Sequence, residues 1–133
     1  MVPMPFAELH LHLEGTLEPE TILRLAERNR IDLRYADVDE LSAQYDFTDL
    51  QSFLNLYYAN MATLQTAADF AEMTDAYPAR AARAGVRHAE VFLDPQAHLS
   101  RGIALEEVMG NSVTASFAND ARKAELLAEI ETG

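Results

Sequence analysis

Two histidines stand two residues apart in the stretch "AELHLHLEGTLEPE", residues 7–20, and a glutamate follows two residues after the second. A neutral imidazole binds zinc at roughly 2.0–2.1 Å, and residues i and i+2 of a strand share a face about 6–7 Å apart, close enough to lean onto one ion. A catalytic zinc takes about three protein ligands and keeps a position open for a water whose pKa it lowers. His10 and His12 are therefore half of such a site. The plainer alternative is a pair of polar side chains on a half-exposed strand. The chain has no cysteine, which excludes disulfides, thiolate metal sites and cysteine nucleophiles, so any transition metal must be held by nitrogen and oxygen.

Other residues offer weaker chemistry. Glu90 or Asp94 could supply a carboxylate to the two histidines if their strands adjoin, although a polar residue buried in a strand is more often a structural hydrogen-bonding group. His98, in "DPQAHLSRG", reads as a solvated loop histidine. Tyr57, Tyr58 and Met61 at helical spacing read as packing, and the acidic groups at Asp37, Asp39, Glu40, Glu106 and Glu107 as exposed helix faces.

The histidine pair needs a strand to carry it. Residues 7–13 alternate strictly, with Ala7, Leu9, Leu11 and Leu13 on one side and Glu8, His10, His12 and then Glu14 on the other. Pro19 suits a first helical turn, followed by a stripe of Ile22, Leu23, Leu25 and Ala26. Further helices are expected over "VDELSAQY", over "TDLQSFLNLYYANMATL" behind a Thr48/Gln51 capping box, and over "AADFAEMTDAYPARAARAG" behind Thr66 and Asp69. In the second of these Leu50, Phe53, Leu54, Tyr57 and Met61 share a side. The third should kink at Pro78 and end at Gly85, where glycine accepts a left-handed conformation. "VRHAEVFLDP" is a second strand, so strand, helices and strand imply a parallel crossover. "ALEEVM" and "DARKAELLAEIE" close the chain as helices, the last capped by Asn119.

The 133 residues fit one domain, with 49% apolar and 24% charged residues in a globular balance. Lys and Arg number 10 against 22 Asp and Glu, and the net charge of −12 repels nucleic acid and anionic membranes. No basic start precedes an apolar run at the N-terminus, and no window is apolar enough to span a membrane, so a cytoplasmic location is expected.

"AELHLHLEGTLEPETI", "DFTDLQSFLNLYYANMATL", "ADFAEMTDAY" and "AGVRHAEVFLDPQAHLSRGIALEEV" resemble, in order and in register, successive parts of the adenosine and adenine deaminase family. The resemblance covers residues 3–109 and implies an α/β fold, a (β/α)8 TIM barrel of the metal-dependent hydrolase type. It implies His10 and His12 as the first two zinc ligands and Glu14 as a residue beside the purine substrate. Adenosine-acting members typically carry aspartate there, and the longer glutamate looks more like the adenine-acting branch. In such enzymes water activated by the metal attacks C6 of the purine while a glutamate protonates the ring, and ammonia leaves.

The family's third histidine, metal-binding aspartate and catalytic glutamate come from later strands, and none matches here, so no catalytic residue is assigned and the zinc site is expected to be incomplete. "GNSVTASFANDARKAELLAEIE" resembles the family's C-terminal segment, which suggests an internal shortening between Met109 and Gly110. A complete barrel takes about 250 residues. Residues 1–109 then form an N-terminal part of the barrel and residues 110–133 a helical segment of the same domain. Arg30 stands where the family commonly has glycine, Arg34 where it often has proline, and Pro78 interrupts a helix. A partial barrel would leave open strand edges, so self-association is expected besides a small purine ligand.

Overall fold

Two parallel strands carry the chemistry-bearing residues. This computed structural model describes residues 4–114, with the side chains of residues 4–109. Strand β1 (Phe6–His12) pairs with β2 (Val86–Phe92) through Phe6↔Val86, Ala7↔His88, Glu8↔Ala89, Leu11↔Val91 and His12↔Phe92. Between the first two pairs β2 holds an extra residue, and between Glu8 and Leu11 β1 does. The second irregularity falls at His10, whose φ of 57° lies in the left-handed region, at a cost of about 1–2 kcal/mol for an L-residue.

This bulge corrects the strict alternation expected from the sequence. Leu9 is 66% exposed and Leu11 only half-buried, because the extra residue rotates the strand between them. Glu14 does not continue the strand either. It lies in a 3-10 turn, Leu13–Thr16, closed by the Thr16 hydroxyl donating to the Leu13 carbonyl at 2.7 Å. The turn drives Leu13, Glu14 and Leu17 inward. Arg80 pins it from outside, donating to the Thr16 carbonyl at 3.0 Å and pairing with Glu18 at 2.6 Å.

Four helices cross from β1 to β2. Helix α1 (Pro19–Asn29) starts with proline in its first turn and buries Ile22, Leu25 and Ala26. It ends on Arg30 at φ 57°, a left-handed cap position that favours glycine, so the family's usual residue there has a physical cause. Helix α2 (Val38–Ala43) is capped by Asp37, which accepts from the Glu40 N–H at 2.9 Å. Helix α3 (Leu50–Met61) is capped by Asp49 with Ser52, not by Thr48 with Gln51: Asp49 accepts from the Ser52 N–H at 2.7 Å. The start lies one residue later because the Asp49 and Ser52 side chains each accept from the other's backbone N–H. Leu56, Asn60 and Met61 form its buried face, while Leu50 is 70% exposed.

Helix α4 (Ala67–Ala84) has the expected Thr66/Asp69 capping box, continues through Pro78, and ends on Gly85 at φ 101°. The Gly85 carbonyl then accepts from the Phe6 N–H at 3.1 Å, so the end of this helix starts the strand pairing. Helix α5 (Pro95–Leu99) follows β2, and α6 (Leu105–Thr114) packs on α4 and α5 and is continuous across Met109 and Gly110. The helix expected over "DARKAELLAEIE", with its Asn119 cap, lies outside the described residues.

The core sits between the 3-10 turn and the helices, centred on Ile22, Leu25, Leu41, Leu64, Phe70 and Met73. Asp69 is buried among them and ties α1 to α4. Its carboxylate accepts from the N–H groups of Gln65 and Thr66 at 2.9 and 2.8 Å, from the Asn29 amide at 2.7 Å, and from Arg28. Burial alone would raise the Asp69 pKa, but these donors outweigh it and hold the carboxyl below its usual range. Beside this core, between α4 and β2, Leu13, Tyr77, Pro78, Val91 and Phe92 line a groove of about 600 Å³. Among the described residues no helix is long and apolar enough to cross a membrane.

Candidate active site around His10, His12 and Glu14

The C-terminal ends of the two parallel strands are where an α/β fold gathers its functional groups. His10 and His12 both reach that end, with ring centroids 5.4 Å apart. Phe92, at the matching end of β2, packs against both, 4.7 Å from His10 and 5.7 Å from His12. The two imidazoles therefore share one apolar wall.

Beside them lies Asp94. One of its carboxylate oxygens accepts from the Tyr57 hydroxyl at 2.7 Å and stands 3.5 Å from His12 Nδ1. Burial raises the Tyr57 hydroxyl pKa far above its ordinary value, and the bond to Asp94 and the charges of Glu14 and Asp94 add to it. Tyr57 is thus a permanent donor, and Asp94 a carboxylate placed beside the ring of His12. Carboxylates in this position commonly orient metal-binding histidines.

Glu14 is 2% exposed, and its two oxygens differ. Oε1 accepts from the Asp94 backbone N–H at 2.8 Å and lies 2.9 Å from His98 Nε2. Oε2 has no partner, nor has Oδ1 of Asn60. Both residues line a notch of about 30 Å³, walled by Tyr45, Phe47, Phe53 and Tyr57. Small-molecule pockets commonly occupy about 300–1,000 Å³, so as it stands this notch has room for little more than a water.

His98 is the correction the structure makes to the sequence reading. It is fully buried, not a solvated loop residue, because Pro95 starts helix α5 and that helix turns the ring under Glu14 and edge-on to Phe70 at 4.8 Å. Arg101, three residues on, donates to His98 Nδ1 at 2.8 Å and to the carbonyls of Met61, Ala62 and Leu64 at 3.3, 3.4 and 2.9 Å. The signal that could have found this pair was the spacing: His98 and Arg101 at i and i+3 behind a proline start, opposite a buried glutamate that needs a donor.

The profile of the adenosine deaminase family matches residues 5–124. The chain belongs to the adenosine deaminase family. It is 61% identical over 109 residues to the adenine deaminase of Streptomyces coelicolor, covering 82% of this chain and 32% of that protein. It is 54% identical over 120 residues to the adenine deaminase of Ralstonia nicotianae, covering 90% of this chain and 34% of that one. The crystal structure of adenine deaminase from Arthrobacter aurescens superposes with a TM-score of 0.76 at 62% identity, covering 84% of this chain and 36% of that chain. The chain spans about a third of the length of the relatives it matches. The strand pair and its helices are accordingly a part of a (β/α)8 barrel.

For a member of this deaminase family, the metal ligands decide what the site can do. His10 and His12 are close enough to share an ion, but among the described residues no three His, Asp or Glu side chains converge on one. The whole chain has four histidines. His98 is committed to Glu14, and His88 lies toward the other end of β2, 3.9 Å from Glu90, with both side chains more than half exposed. Glu90 therefore does not join the pair, and Asp94 reaches one histidine only. The described residues fit half a metal site and do not close one.

Proposed function

We propose that this chain carries the purine-facing half of an adenine-type deaminase site and has no turnover by itself. The family reaction on that reading converts adenine and water to hypoxanthine and ammonia, forming a C6–O bond and breaking the C6–N bond. His10 and His12 are the first two metal ligands, zinc being the metal suited to imidazole and carboxylate ligation, and Glu14 is the purine contact. The observation that carries the reading is the buried Glu14 carboxylate, which keeps one oxygen without a partner beside the histidine pair. A lone buried acceptor favours a ligand that brings an N–H donor, and a purine base does. The residues that would complete the metal site and move the proton at the ring have no counterpart here. An internal shortening at Met109 and Gly110 accounts for that, and sequencing the source DNA across those codons tests it.

The chain, loaded with zinc, should be analysed for bound metal and its loss of adenine and of adenosine followed optically. Weak metal binding that His12→Ala abolishes, with adenine bound but neither compound consumed, supports the reading. Adenosine binding in preference to adenine moves it to the nucleoside branch, and turnover abolished by His12→Ala overturns inactivity.

A second reading, compatible with the first, is self-association. Among the described residues each of the two strands has an open outer edge, and Phe6, Leu9, Val91 and Phe92 are each more than 40% exposed, the last two lining the groove. A second copy of the chain covers such a surface by pairing edge to edge. Sedimentation giving a monomer at micromolar concentration would remove this reading. The cytoplasm is the compartment in which we place the chain.

A further inference from the structure

Glu14 is held by a relay of two side chains, His98 and Arg101. Arg101 is a donor only, so the nitrogen it faces, His98 Nδ1, must present a lone pair. The single ring proton then sits on Nε2, which points at Glu14 Oε1. That oxygen also receives the Asp94 N–H, while Oε2 receives nothing. Arg101 is in turn fixed by three carbonyls at the end of α3, the helix that also supplies Asn60 and Tyr57 to the notch. The carboxylate is thus asymmetric: one oxygen is occupied, the other buried and open.

We propose that His98 and Arg101 are positioning residues that fix the ligand geometry of Glu14. Arg101 sets the ring tautomer of His98, and His98, with the Asp94 N–H, occupies Oε1 so that Oε2 alone accepts from the purine. The inference rests on Glu14 being the purine contact. The alternative is that His98 merely fills space against Phe70.

Two measurements on the full chain separate these. Nitrogen-15 NMR of the histidine side chains at neutral pH needs no ligand: a single Nε2–H tautomer for His98, converted to a tautomer mixture in Arg101→Met, supports the relay. An Nδ1–H or doubly protonated ring in the parent chain, or an Arg101→Met spectrum identical to the parent's, overturns it. Equilibrium dialysis against adenine supplies the second readout. His98→Gln, whose amide N–H replaces Nε2–H, should bind within about threefold of the parent, whereas His98→Leu, which keeps the apolar contact, should bind at least about tenfold more weakly. Equal affinities for the two variants assign His98 to packing and overturn the proposal. A parent chain that binds no adenine overturns the purine reading and the ligand part of this inference, while the tautomer result still decides whether Arg101 sets the ring of His98.

Discussion

Replacing Asp69 with alanine tests the physical account of how α1 is fastened to α4. The carboxylate is buried and accepts from two backbone N–H groups, one amide and one guanidinium. Alanine leaves the Gln65 and Thr66 N–H groups and the Asn29 amide without that acceptor, and a buried unpaired donor costs about 1–3 kcal/mol. The Thr66 N–H is the half of the capping box that Asp69 supplies, and the bond from the residue-69 N–H to Thr66 survives the substitution. Asn29 retains its bond to the Thr63 carbonyl and Arg28 retains Glu72 at 3.1 Å, which limits the total to about 3–5 kcal/mol. Against a usual stability of about 5–15 kcal/mol, thermal denaturation followed by circular dichroism should show a midpoint at least about 10 °C lower. The same group makes a pH prediction. Its folded pKa lies below the unfolded value of about 3.9, so its contribution is full above that value and is lost as pH falls through the folded pKa. Urea midpoints of the parent should be level from about pH 7 to 5 and fall below about pH 4, with a shallower fall in Asp69→Ala. A midpoint within about 3 °C of the parent, or an unchanged acid slope, would refute the reasoning.

Three further outcomes follow from single residues. Arg30→Gly should stabilise the chain by about 1 kcal/mol, read as a higher urea midpoint, because Arg30 occupies a left-handed position that glycine adopts without strain. Phe70→Ala should cost about 3–5 kcal/mol in the same assay, since Phe70 is 1% exposed and also packs on His98. Tyr57→Phe, which removes the donor to Asp94 and keeps the ring, should weaken adenine binding in dialysis by about tenfold or less while leaving the melting temperature within about 4 °C.

Much of the fold was legible because its signals are local. Pro19, the Thr66/Asp69 box and Gly85 each state a helix end in their own side chains or backbone freedom, and the structure has those ends. The parallel crossover followed from the element order, and the two strands lie where their β-branched and alternating residues suggested. The two histidine rings do lie together at one strand end, although the bulge at His10 means that regular strand spacing is not what brings them there. What was not legible depended on contacts distant in sequence. His10 in a left-handed conformation has no signature, because the bulge exists only against β2. The spacing of His98 and Arg101 hints at a local pair, but the partner that buries His98 is a carboxylate 84 positions away in sequence. The Asp49/Ser52 cap was legible in principle, since aspartate caps better than threonine and serine stands three residues on.

The two irregularities in the strand pair compensate each other. From Phe6 to His12 and from Val86 to Phe92 the chain takes the same six steps, because the additional residue in β2 near its start is matched by the one in β1 at His10. Removing either would displace one strand end by about 3.3 Å and turn its last side chains to the opposite face, separating His12 from Phe92. The length of each strand is thus a shared quantity. A deletion in one is tolerable only with a deletion in the other, so drift in this part of the chain should proceed by paired changes or not at all.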